Sequence, residues 1–79
     1  MPVFMDTHPL GNIPVADLHT LQKAPKDEFG IVHVNIHYSE KEDKVFCVLD
    51  APDSEAVRKH HEAFGLNCEW IVQIESTAK

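Results

Sequence analysis

The segment FGIVHVNIHYS, residues 29–39, constrains this chain more than any other. It alternates along its whole length, with Val32, Val34, Ile36 and Tyr38 on one side and Ile31, His33, Asn35 and His37 on the other. A period of two is the pattern of a β-strand. The charged run Glu40 to Lys44 follows and reads as a hairpin turn. Beyond it VFCVLD is almost wholly apolar, as expected of a central strand.

Around this hairpin the remaining elements fall into place. PVFMDTH reads as a first strand, and GNIP breaks it, with Pro14 suited to a helix start. VADLHTLQK carries a short helical stripe that Pro25 ends. APDSEAVRKHHEAFG opens on Pro and acids and closes on Gly65, a well-marked second helix. EWIVQIE alternates again. The order β-α-β-β-α-β is the ferredoxin-like split βαβ arrangement. It predicts an α+β fold over residues 1–79 as one domain. Right-handed crossovers put both helices on one face of an antiparallel sheet, in the order 4-1-3-2.

The more apolar side of each strand is expected to meet the helices. That assigns Val3, Met5, Val32, Val34, Ile36, Val72 and Ile74 to the core. Phe4, Asp6, His8, Ile31, His33, Asn35, His37, Ile71 and Gln73 are then left on the uncovered face. Both sides of the third strand are apolar, so Cys47 fits either. The uncovered face so assigned mixes apolar and polar groups, which suits pairing between two copies as a homodimer.

The net charge is −6, with no basic stripe, which argues against nucleic acid and is compatible with cations. No apolar run approaches the roughly 20 residues of a membrane span. No basic segment precedes an apolar one at the start, so a cytoplasmic protein is expected. The two cysteines, Cys47 and Cys68, form no Cys-x-x-Cys pair. Neither a Gly-rich phosphate loop nor a nucleophile elbow is present, so catalytic patterns are mostly missing.

The six histidines are the chemically distinctive feature. Asp6 and His8 share one side of a strand, roughly 6.6 Å apart at Cα, and can converge on one ion. The plainer reading is a polar pair in which Asp6 orients His8. His33 and His37, four apart on a strand, stand roughly 13 Å apart and cannot share an ion. His37 and His8 lie about 9.6 Å apart across two strand spacings, near the same end of the sheet. Solvent-facing strand histidines are the plainer reading of both. On the second helix His60 falls within the apolar stripe and is expected to be a satisfied core histidine, whereas His61 is freer to act. His19 is expected to be exposed. Cys47 is most simply a small buried hydrophobe, or a soft ligand if it shares the face of Asp6 and His8.

Three stretches, FMDTH, VFCVLDAPDSEAV and HHEAFGLNCEWIVQI, resemble a family of small ferredoxin-like proteins catalogued as a domain of unknown function, one member of which is described as nickel-binding. Met5, Asp6 and His8 match its opening motif, and His61 and Gly65 match its second helix. His33 and His37 are not part of that pattern, and the first helix is shorter here. The resemblance implies a homodimer that binds nickel near its surface, with sequestration and metal-linked self-association as its role.

The expected function is therefore metal binding by a homo-oligomer, nickel preferred over zinc or copper. Asp6 and His8 are the primary pair, with His33, His37 and His61 completing sites within or between subunits. Two alternatives stand beside it. One is a self-associating structural module. The other is a small enzyme or ligand binder with His8 as a base held by Asp6.

Overall fold

The computed structural model describes residues 2–77. Its elements are β1 (Val3–His8), α1 (Val15–Gln22), β2 (Val32–Ser39), β3 (Lys44–Asp50), α2 (Ser54–Glu62) and β4 (Trp70–Ile74). The four strands form one antiparallel sheet in the order β2-β3-β1-β4. Both helices cover the same face, giving the expected ferredoxin-like α+β arrangement.

Helix boundaries follow local chemistry. Pro14 stands at the start of α1, where its missing N–H costs nothing. Asp53 caps α2 by accepting from the Ala56 N–H at 2.8 Å. Gly65 has φ +74°. There the Leu66 N–H donates to the His61 carbonyl and the Gly65 N–H to that of Glu62. This Schellman closure requires the left-handed conformation that glycine adopts freely. It stops α2 just after His60 and His61.

The helices cover the other side of the sheet from the one expected. In the central pair Phe4 faces Leu49, Asp6 faces Cys47 and His8 faces Val45, and all six side chains are buried. They pack with Leu18, Ile31, Ala56 and Val57 into the core. Met5, Val48 and Val72, partners across three strands, lie on the open face, where Val72 is 45% exposed. The strands alternate with apolar residues on both sides, so periodicity alone could not choose between them. The choice rests on Val45, Cys47 and Leu49 of β3, each almost wholly buried.

β2 departs from simple alternation. Its register against β3 slips between His33 and Asn35. This bulge leaves Val34 without a cross-strand partner and half exposed. The Gln22 side-chain amide, at the end of α1, donates to the carbonyls of His33 and Val34 at 3.2 Å each. Beyond the bulge the parity changes. Ile36 comes to the covered face opposite Cys47, and His37 goes to the open face opposite Phe46. His33 and His37 were expected on one face and lie on opposite faces.

Candidate metal centre

Asp6 and His8 project from β1, Cys47 from β3 and His61 from α2, all buried between sheet and helices. One ligand atom from each lies within 4.8 Å of every other. Two closer contacts tie the group together: His61 Nε2 to Asp6 Oδ1 at 3.2 Å, and Cys47 Sγ to His8 Nε2 at 3.9 Å.

Two backbone carbonyls set the tautomers. His8 Nδ1 lies 2.9 Å from the Pro9 carbonyl, and His61 Nδ1 lies 2.9 Å from that of Val57. A carbonyl only accepts, so each Nδ1 carries the proton and each Nε2 turns inward as the coordinating nitrogen. The orienter of His8 is thus the Pro9 carbonyl and not Asp6. The Asp6 carboxylate instead meets His61.

Asp6 is the anomaly of the interior. Its side chain is inaccessible to solvent, and neither oxygen accepts a hydrogen bond. The 3.2 Å contact with His61 is an ion-pair distance without hydrogen-bond alignment. A buried carboxylate without hydrogen bonds is costly unless a cation compensates it or a proton neutralises it. Burial by itself depresses the His61 pKa, but the Asp6 carboxylate, helped by Cys47 and Cys68, outweighs it and pushes the pKa up to about 12. Burial holds His8 below its ordinary range and raises the Cys47 thiol. A metal ion would fill the same place as the His61 proton. The donor set of two imidazoles, a thiolate and a carboxylate suits nickel, zinc or copper. Metal–ligand bonds of about 2.0–2.3 Å put neighbouring donors roughly 3.3–3.7 Å apart, so the widest pair must close by about an ångström.

Three of the expected ligands, Asp6, His8 and His61, are brought together. His37 is exposed on the far side of the sheet and takes no part in the group. His33 is buried but packs on His60, their ring centroids 5.2 Å apart, and its pKa is lowered to about 4, chiefly by burial and then by His60 and His61. His60 is the satisfied core histidine expected. Its Nδ1 meets Asp27 Oδ2, while Asp27 Oδ1 accepts from the N–H groups of Phe29 and Ile31. His19 is exposed, as expected.

Cys47 is the member that sequence reasoning left undecided. The signal lay in the register: once β1 and β3 pair as central neighbours, Asp6 stands opposite Cys47.

The crystal structure of SCO4226 from Streptomyces coelicolor A3(2) superposes with a TM-score of 0.77, covering 96% of this chain and 99% of the other at 21% identity, which establishes the shared fold. Among curated proteins no significant match is found. The family model described as "Nickel responsive protein SCO4226-like" matches residues 4–74. On that match, spanning nearly all of the sequence, the chain belongs to the SCO4226-like family.

Proposed function

We propose that this protein binds a divalent metal ion, nickel by preference, through Asp6, His8, Cys47 and His61, and serves in cytoplasmic metal sequestration or homeostasis as a homo-oligomer. The observation that carries the reading is the buried Asp6 carboxylate, without a hydrogen bond and faced by two inward-turned imidazole nitrogens and a thiol. The preference for nickel is supported by the family description; the donor set itself suits nickel, zinc and copper alike. His37, on the open face, is available only to a site shared between subunits.

The test is native mass spectrometry of chelator-stripped protein titrated with nickel and then zinc. One saturable ion per chain is expected, lost when Asp6→Ala and His8→Ala are combined. Unchanged uptake by that double variant would sink the assignment.

Self-association is supported by the open face of the sheet. Met5, Val48 and Val72 lie side by side on the face turned away from the helices, and Val72 is 45% exposed. An apolar sheet face of this kind pairs readily with its own copy. Sedimentation of metal-free protein tests this, with a dimer or larger species expected.

A further inference from the structure

A cavity of about 480 Å³ lies between the two helices and the sheet. Three of the four proposed metal ligands, His8, Cys47 and His61, lie in its lining, with His33 and His60 beside them. Ile13, Leu21 and Ile36 are among its apolar walls, and the exposed Phe64 stands at its rim. Sites for small organic molecules span about 300–1,000 Å³ and combine apolar walls with a few convergent polar groups.

We propose that this cavity binds a small neutral nitrogen heterocycle bearing an apolar group, which ligates the metal ion from the cavity side. The inference rests on the metal-binding reading above. Charge selects the ligand class. A divalent ion with the Asp6 carboxylate, the Cys47 thiolate and two neutral imidazoles sums to zero. An anionic ligand would add an uncompensated charge beside apolar walls and the Asp17 carboxylate. A heterocyclic nitrogen adds none and matches the donors that nickel, zinc and copper favour. Water could occupy the ion but would leave the Ile13, Leu21 and Ile36 walls unfilled. An aromatic or aliphatic substituent covers them and reaches the Phe64 ring.

The test uses the full chain carrying one equivalent of nickel, titrated with 4-phenylimidazole and with imidazole. Calorimetry and the visible nickel spectrum are read together. One 4-phenylimidazole per chain should shift the spectrum and bind at least about tenfold more tightly than imidazole, because its phenyl ring is buried. Leu21→Trp, which fills the cavity from α1, should abolish that preference with nickel affinity unchanged. Ile13→Phe is the second filling variant should the first fail to fold. Nickel bound without a spectral shift, or equal affinity for the two azoles, would overturn the cavity assignment while the metal reading stood. No nickel uptake at all would overturn both. A response that disappears as protein concentration rises would place a second copy of the chain in the cavity, and would also overturn it.

Discussion

Asp6 and Cys47 stand directly opposite one another across the two central strands, and His61 of α2 closes over them, with its Nε2 3.2 Å from the Asp6 carboxylate. An acid, a thiol and an imidazole thus share a place where a domain of this size would ordinarily bury aliphatic side chains. Such a substitution weakens a small core, so it is expected where a bound cation stabilises the fold in return.

Metal uptake should release two protons per chain near neutral pH. His61, pushed up to about 12, holds its Nε2 proton without metal, and Cys47, raised by burial, remains a thiol. His8, held low, is already neutral. Affinity should therefore rise about a hundredfold per pH unit around neutrality, two protons being displaced. Calorimetry in buffers of different ionisation enthalpy counts them; a proton count near zero would exclude this ligand set.

Metal-free stability should be greatest near pH 6.5. The folded pKa of His61 lies above its unfolded value of about 6.5, so its contribution is complete below that pH and falls as pH rises towards 12. The folded pKa of His33 is lowered to about 4, so its contribution is present above about pH 6.5 and is lost as pH falls towards 4. Denaturant midpoints across this range measure both slopes. Asp6→Asn should flatten the alkaline one.

Cys47→Ser should weaken nickel binding by about tenfold or more and abolish any sulfur-to-nickel charge-transfer band in the near ultraviolet. The hydroxyl is of similar size but is a far poorer ligand for borderline metals. Persistence of the band would assign it to Cys68 instead.

His37→Ala should leave the metal affinity of a single chain within about twofold, because surface positions away from a site contribute little. A larger loss would mean that a site shared between subunits dominates binding.

Val72→Lys, on the open face, should shift any dimer towards monomer in sedimentation, since a charge buried without a partner in an interface costs several kcal/mol. An unaltered oligomer would place the interface elsewhere.

The fold was legible because its elements are well marked: the hairpin around Glu40–Lys44, the Pro-acid start of α2 and Gly65 after it. The covered face was not legible. Val3, Met5 and Val72 are as apolar as Phe4, Leu49 and Ile71, so ranking the two faces by apolar content selects the wrong one. In the sequence the polar pair Asp6 and His8 argues for turning that side of the strand outward, the usual economy of a small core. Here that pair points inward along with Val45, Cys47 and Leu49 of β3, and His61 of α2 meets Asp6 there. Only pairing across strands and layers joins Asp6, Cys47 and His61, which are far apart in the chain, and no local pattern records it.

The slip in β2 has a consequence for reading relatives of this chain. The strand runs in two phases, and Val34 is the spare residue between them. Parity counted from His33 therefore misplaces every side chain beyond it. A homologue one residue shorter at that point would keep Ile36 inward and His37 outward. A homologue of equal length whose strand paired without the slip would turn His37 into the interior and carry Ile36 out to the open face. Which histidines a member of this family offers to its interior is thus decided by the pairing of an edge strand as much as by which residues it contains.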